Sequence, residues 1–222
     1  MTFARSEQAR SELARAELGG RMPTILTVPG LGGSGPAHWQ TLWEQSRNDT
    51  IRAELGSWDA PSRNAWVTRL DQAIRNAAAP VILVAHSLGC HAVAWWATLT
   101  GQPWGWPVAG ALLVAPPDVD QADACVSLRR FAPAPRESLP FPSILVASDD
   151  DPYCSLQRSF DLARHWGSTF EDAGPLGHIN AASGLGFWQD GQALLDRLIG
   201  ASEQSAAGST PAEVTRALEA RA

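Results

Sequence analysis

The sequence predicts an α/β protein, with a three-layer fold in which a mostly parallel sheet of about five to six strands lies between two layers of helices. Apolar runs of strand length alternate with segments of helical periodicity along most of the chain. The irregular stretches between them are short, so no large cap domain is expected. With 222 residues, 45% hydrophobic and 18% charged, the composition is that of one globular domain with a sizeable core.

The domain organisation follows from where this alternation starts and stops. Residues 1–21, rich in Arg, Glu and Ala, are a predicted N-terminal helical extension, residues 22–199 the main domain, and residues 200–222 a predicted C-terminal tail. The predicted strands are 24–28, 51–55, 81–84, 108–115, 143–148 and 168–171. One predicted helix begins at residue 37, and four others cover 66–74, 92–97, 155–166 and 187–199. Phe160 is expected to face the core.

The central predicted strand is followed by a serine at a sharp turn into a helix. The chain reads Ala85-His86-Ser87-Leu88-Gly89, which matches the G-x-S-x-G nucleophile elbow of α/β-hydrolases except that alanine replaces the first glycine. Such a turn lifts the Ser87 hydroxyl above the sheet edge. It also aims the Leu88 N–H at the same point, where negative charge develops during acyl transfer. The alternative interpretation is an ordinary strand–turn–helix with a serine N-cap.

A glycine-rich loop, Pro29–Pro36, directly follows the first predicted strand. It lacks the G-K-[ST] of a phosphate loop and the G-x-G-x-x-G spacing of a dinucleotide loop. In α/β-hydrolases a loop at this place supplies the second oxyanion-hole donor; we assign it to the Leu31 N–H, with Gly32 as the neighbour that could replace it. Gly32, His38 and Trp39 are candidates to line the substrate pocket, although a surface or capping position is the favoured interpretation of His38. A flexible turn is the alternative for the loop.

Three residue types used in nucleophilic catalysis each follow a different predicted strand. Active sites of parallel α/β sheets lie beyond the carboxyl ends of the strands, so Ser87, the run Asp149–Asp151 and His178 are expected at one edge. Their order along the chain is the α/β-hydrolase order of serine, acid and histidine. His178 is therefore the predicted base. Asp151 is the predicted acid, because Pro152 restrains it to an extended backbone.

Other titratable groups leave alternatives open. Asp149 and Asp150 are expected to cap the turn or face water, and the three adjacent carboxylates also suggest a cation site, although no other ligand spacing accompanies them. Asp118, after the fourth predicted strand, is a second candidate acid that more simply starts a turn. His86 is interpreted as structural, and His91 as a weaker candidate base one turn into the helix.

Composition excludes several function classes. The net charge is −6 without a basic cluster, so nucleic acid is not an expected partner. The chain contains no lysine, which excludes a Schiff-base mechanism. Three widely spaced cysteines favour neither zinc nor a disulfide framework, and no metal or cofactor is expected. No segment has the apolar length of a membrane span or a signal peptide, so we expect a cytoplasmic protein.

The combined motifs resemble a known family, the small serine hydrolases of the retinoblastoma-binding protein 9 type and their bacterial relatives. The resemblance covers about residues 24–199. It rests on Val28-Pro29-Gly30-Leu31-Gly32-Gly33 with Trp39, Trp58-Asp59-Ala60-Pro61, Ala85-His86-Ser87-Leu88-Gly89, Ser148-Asp149-Asp150-Asp151-Pro152 and Gly177-His178-Ile179-Asn180. It implies a compact α/β-hydrolase without a cap and with Ser87, Asp151 and His178 as its triad. Some members of the family are also discussed as protein-binding.

The expected function is that of a serine hydrolase, a carboxylesterase that cleaves small esters through an acyl-enzyme. The sequence leaves two alternatives open. One is a protein-binding module on a hydrolase fold with weak or vestigial activity. The other is thioester, amide or C–C cleavage on the same machinery, because the acyl-transfer groups are shared. The expected partner is a small-molecule acyl substrate, and the sequence leaves a homodimer or a protein partner open.

Overall fold

The computed structural model describes residues 22–207, and its centre is one six-stranded sheet in which every neighbouring pair of strands is parallel. The strand order is β2-β1-β3-β4-β5-β6. The strands are β1 (Thr24–Val28), β2 (Thr50–Arg52), β3 (Val81–His86), β4 (Val108–Val114), β5 (Ser143–Ala147) and β6 (Thr169–Asp172). The predicted fold class is confirmed, and the stretch between β4 and β5 contains no large cap domain.

Six α-helices of the described part flank the sheet. They are α1 (Trp39–Ser46), α2 (Arg63–Asn76), α3 (Leu88–Thr100), α4 (Val126–Arg129), α5 (Leu156–Trp166) and α6 (Gln189–Ala207). A single 3₁₀ turn, Ala181–Ser183, precedes α6. Three of the long helices, α2, α3 and α5, begin after a serine; of these serines only Ser155 caps its helix with the side chain, by accepting from the Arg158 N–H.

Two apolar cores, one on each face of the sheet, hold the three layers together. Helices α2, α3 and α5 pack on one face and α1 and α6 on the other. Successive residues of β3 alternate between the cores: Leu83 belongs to the first and Val84 to the second. Strand β3 is therefore buried along its whole length, as a strand covered on both faces must be. This central strand ends at His86, directly before Ser87.

The structure differs from the sequence-based expectations in three elements. Strand β2 covers only Thr50–Arg52, because it pairs with β1 alone at the sheet edge and the chain then leaves the sheet. Phe160 is 42% exposed and packs edge-on against Phe170 on the surface rather than in the core. Helix α6 continues through Ala207 instead of ending at Ile199. The rest of the predicted tail and the extension over 1–21 lie outside the described residues.

Candidate active site

The turn between β3 and α3 holds Ser87 in a strained backbone conformation. Its φ is 53° and ψ is −127°, in a region that residues other than glycine rarely adopt. Conformations of this kind cost about 1–3 kcal/mol and persist where surrounding contacts fix them. Here the Ser87 N–H donates to the Val114 carbonyl at 2.9 Å, and the Ser87 carbonyl accepts from the Cys90 N–H at 2.9 Å. The elbow predicted from the sequence is present in the backbone.

Two glycines allow the first strand and its loop to pack directly against this turn. A Cβ on Gly89 would lie 2.2 Å from the Val28 carbonyl oxygen and 2.7 Å from that of Pro29. A Cβ on Gly30 would lie 2.7 Å from the Cβ of Ser87. All three distances are shorter than a Cβ atom tolerates. The glycine-rich loop and the serine turn are therefore in backbone contact, as an oxyanion hole shared between them requires.

The side chains of Ser87, His178 and Asp151 lie in one hydrogen-bonded chain. His178 Nε2 is 2.8 Å from Ser87 Oγ, and His178 Nδ1 is 2.9 Å and 3.0 Å from the two carboxylate oxygens of Asp151. A carboxylate only accepts, so Nδ1–H donates to Asp151 and leaves the Nε2 lone pair free to accept the Ser87 hydroxyl proton. The His178 and Asp151 side chains are 10% and 3% exposed. The structure thus brings together the three side chains that the sequence predicted to meet.

The neighbouring carboxylates do not compete for His178. Asp150 accepts from the Ser148 hydroxyl at 2.7 Å and from the Gly177 N–H at 2.6 Å, so it fastens the histidine loop to the end of β5. Asp149 is exposed. Asp118, the second candidate acid, forms an ion pair with Arg158 at 3.1 Å instead. Asp151 is the carboxylate that contacts the predicted base.

The two predicted oxyanion donors, Leu31 and Leu88, both have a backbone N–H without an acceptor in the described structure, whereas the alternative Gly32 does not. Leu88 is the first residue of α3, so its N–H has no partner within the helix. The Leu31 N–H donates to no acceptor among residues 22–207. The Gly32 N–H donates to the Trp58 carbonyl at 3.0 Å, so Gly32 cannot replace Leu31 as a donor without breaking this bond. The arrangement favours Leu31 and Leu88 as the pair.

Two of the three pocket candidates are buried, and their burial favours a structural role for both over lining a pocket. His38 is 4% exposed and caps α1, where its Nδ1 accepts from the Gln40 N–H. Trp39 is 1% exposed, and its indole N–H donates to the Ile179 carbonyl. The aromatic character of both residues serves packing behind the histidine loop. Gly32 is exposed, and a Cβ added there would meet nothing within 4 Å, so the surroundings of Gly32 are open and do not enclose a pocket.

Two residues that the sequence-based reasoning did not place at the site contact His178. The Tyr153 ring lies edge-on to the His178 ring at 4.6 Å between centroids and is 50% exposed. Its position two residues after Asp151 on the same loop was the available signal. His86 Nε2 lies 2.9 Å from the His178 carbonyl oxygen, so it donates to it. Strand alternation gave no sign of this bond.

His91 lies outside the site. Its ring is buried in α3 beside Trp166, and Nε2 donates to the Pro117 carbonyl at 2.8 Å. Burial lowers the pKa of His91 to about 4. His91 therefore does not act as the alternative base that the sequence left open.

The imidazoles behind His178 are neutral near neutral pH. Burial lowers the pKa of His86 well below 6.5, and the neighbouring His38 and His178 lower it further. Burial, with smaller contributions from Arg52 and His178, lowers the pKa of His38 to about 4. Neither ring adds a positive charge beside the predicted base. Within the described chain, no cluster of three metal-ligating side chains occurs, and no helix has the length and apolarity to cross a membrane.

A parallel sheet of this order, with a serine elbow after its third strand, is the architecture of an α/β-hydrolase. Comparison with protein families gives a narrower classification. The chain belongs to the serine hydrolase family, whose model matches residues 25–197. A YdeN-like hydrolase from Pectobacterium atrosepticum is 31% identical, with a TM-score of 0.70 over 86% of this chain and 97% of its own.

More distant structures share the fold. The ydeN gene product of B. subtilis is 18% identical, with a TM-score of 0.64 over 80% of this chain and 99% of its own. Est1E from Butyrivibrio proteoclasticus is 13% identical, with a TM-score of 0.59 over 79% of this chain and 88% of its own. No curated protein matches the sequence significantly.

Proposed function

We propose that this protein is a carboxylesterase that hydrolyses small esters through an acyl-enzyme on Ser87. The observation that carries the proposal is the hydrogen-bonded chain from Ser87 Oγ through His178 to Asp151, with distances of 2.8 Å and 2.9 Å. A hydroxyl with a base in contact, and a base oriented by a carboxylate, is the arrangement that activates a serine nucleophile.

The chemistry follows from these contacts. His178 Nε2 takes the hydroxyl proton as Ser87 Oγ bonds to the ester carbonyl carbon, and the carbonyl electrons move to its oxygen. The Leu31 and Leu88 N–H groups stabilise that oxygen, and His178 then returns the proton to the departing alcohol. A water molecule, activated by the same imidazole, cleaves the acyl-enzyme and restores Ser87. Asp151 keeps Nδ1 protonated and stabilises the imidazolium in both halves of the reaction.

Small neutral acyl substrates suit the surroundings of His178. Tyr153 presents a half-exposed ring beside the base, and Leu31, which carries the proposed oxyanion donor, is 36% exposed. These apolar surfaces favour burial of an uncharged acyl or alcohol group. Thioesters and amides would use the same groups, so the preferred leaving group is a question for a substrate panel.

The test is active-site labelling with a fluorophosphonate, followed by turnover of p-nitrophenyl esters of graded acyl length. We expect the probe to modify Ser87 and the Ser87→Ala variant to remain unlabelled. Asp151→Asn should lower kcat by about 10⁴-fold, because the imidazole loses its orienting carboxylate. Ser143→Ala is the matched control: that serine is also buried but lies at the start of β5, the opposite end of the sheet, and the variant should label normally.

A folded wild-type protein that neither reacts with the probe nor turns over any ester of the panel would contradict the proposal. That result would favour the binding-module alternative. Labelling with turnover restricted to thioesters or amides would keep the serine mechanism and correct the substrate class.

A further inference from the structure

The backbone immediately after His178 is strained. Ile179 has a φ of 44°, although it is β-branched and fully buried. A β-branched residue in the left-handed region is a genuine outlier, and such a conformation survives only where neighbouring contacts impose it. The turn at Ile179 therefore needs an external restraint, and it lies next to the residue whose ring must meet both Ser87 and Asp151.

Two ring N–H groups supply that restraint on consecutive carbonyls. His86 Nε2 donates to the His178 carbonyl at 2.9 Å, and Trp39 Nε1 donates to the Ile179 carbonyl at 2.8 Å. The donors come from different elements, β3 and α1, which both contribute buried residues to the same core. Their rings also touch each other, edge-on at 6.1 Å between centroids. The two bonds fix both peptide planes that follow the base.

An uncharged donor is the appropriate choice at this place. The His86 and His178 rings are 5.0 Å apart, so a positive charge on His86 would oppose formation of the His178 imidazolium. Since a carbonyl only accepts, Nε2 of the neutral His86 ring carries the proton and Nδ1 is unprotonated. The ring behind it, His38 at 4.7 Å, is also neutral near neutral pH. The carbonyl is thus held without a competing charge.

We propose that His86 is a positioning residue for the base: its Nε2–H, together with Trp39 Nε1–H, holds the left-handed turn at Ile179 and so aims the His178 ring at Ser87. This inference rests on the proposed function, because the ring orientation matters only if His178 moves a proton. His86 touches no reacting atom in this account. Its loss should therefore lower kcat and leave KM for a small ester nearly unchanged.

The test compares two nearly isosteric variants that differ in one donor. His86→Gln keeps an N–H near the position of Nε2, whereas His86→Met has similar volume and no donor. We expect His86→Met to lower kcat for p-nitrophenyl acetate by about 10–100-fold, the range expected for a base misplaced by up to an ångström. The rate of fluorophosphonate labelling should fall by the same factor, and His86→Gln should recover most of both.

His91→Met is the matched control. His91 is also buried and also donates Nε2–H to a carbonyl, but to that of Pro117 rather than to the histidine loop. A purely structural effect would lower the stability of both Met variants and leave kcat per folded molecule unchanged in both. Proton NMR gives a second readout: the low-field Nδ1–H resonance of His178 should persist in His91→Met and weaken in His86→Met.

The outcomes separate this inference from the proposed function. Absence of labelling in folded wild-type protein defeats the proposed function and this inference with it. Normal labelling of the wild type with unchanged kcat in His86→Met, or a kcat in His86→Gln as low as in His86→Met, overturns the inference alone.

Trp39→Phe keeps the test decisive if the His86 variants do not fold. It removes the donor to the Ile179 carbonyl and keeps an aromatic ring in the core. We expect a lower kcat with unchanged KM. A wild-type kcat in this variant would overturn the inference.

Discussion

At the residue scale, the site depends on a glycine without a side chain as much as on the side chains that react. Gly89 lies in the first turn of α3, where the backbone passes over the end of β1. The absence of a side chain there allows Ser87 to stand at a strained turn within reach of the glycine-rich loop. Gly89 is the second glycine of the G-x-S-x-G pattern, and this position requires glycine because no larger residue fits there.

Replacing Gly89 by alanine should therefore destabilise the fold strongly. The new methyl would lie 2.2 Å from the Val28 carbonyl oxygen, a backbone atom that cannot turn away. We expect a loss of about 3 kcal/mol, the upper end of the usual cost of overpacking, in the free energy of unfolding, measured by urea denaturation. Gly200→Ala is the control: it lies within α6 with nothing within 4 Å of the added methyl, and should stabilise by about 0.5–1 kcal/mol. Equal effects of the two substitutions would contradict this account.

At the scale of the elements, α6 shows how packing overrides a local signal. Gly200 is typical of a helix end, yet the helix continues through Ala207. Before Gly200, the buried residues Leu195, Leu198 and Ile199 anchor α6 against the sheet. A glycine inside a helix costs only about 1 kcal/mol, so the anchored helix runs through it.

Leu198→Ala should show how much this anchor contributes. Leu198 is 3% exposed and lies over Gly110 of β4, where an added Cβ would meet it at 3.1 Å. Truncation leaves a cavity between helix and sheet, so the free energy of unfolding should fall by about 2–5 kcal/mol. The control Leu99→Ala, at a helical position that is 61% exposed, should change it by no more than about 0.5 kcal/mol. Similar values for the two variants would show that α6 does not depend on this contact.

At the scale of the whole molecule, the fold buries three imidazoles in their neutral form. His38 and His91 have pKa values lowered by burial to about 4, and burial lowers the pKa of His86 well below 6.5. In the unfolded chain these rings take up protons below about pH 6.5, whereas in the folded protein they do not. The unfolded state then binds more protons than the folded state. These three histidines therefore do not reduce the free energy of unfolding above about pH 6.5, and they reduce it progressively as the pH falls towards 4.

Urea unfolding between pH 7.5 and 4.5 should report this loss. Each buried histidine contributes about 1.4 kcal/mol per pH unit within the window, so His91→Met should have a slope smaller than wild type by about that amount. The comparison uses slopes because the substitution also changes absolute stability. Identical slopes in the two proteins would show that His91 is not neutral in the fold. The described carboxyl groups with lowered pKa values, such as Asp71, titrate below this window.

The order of strands and helices could be predicted because hydrophobic periodicity and turn residues are local signals. Ser87, Asp151 and His178 could be selected from the same information, because each follows a strand and parallel strands end at one edge. The side chains do meet there, and their catalytic roles remain predictions for the labelling experiment.

The sequence by itself determined the parallel α/β architecture and the three side chains to consider, since both depend on periodicity and chain order. Only the tertiary structure decided that Trp39 and His38 support the histidine loop from behind, that Phe160 stays on the surface, and that His86 binds the His178 carbonyl. The bond from Trp39 to Ile179 joins residues 140 positions apart. Contacts of that kind leave no local pattern, because the partner of each side chain is set by how whole layers pack.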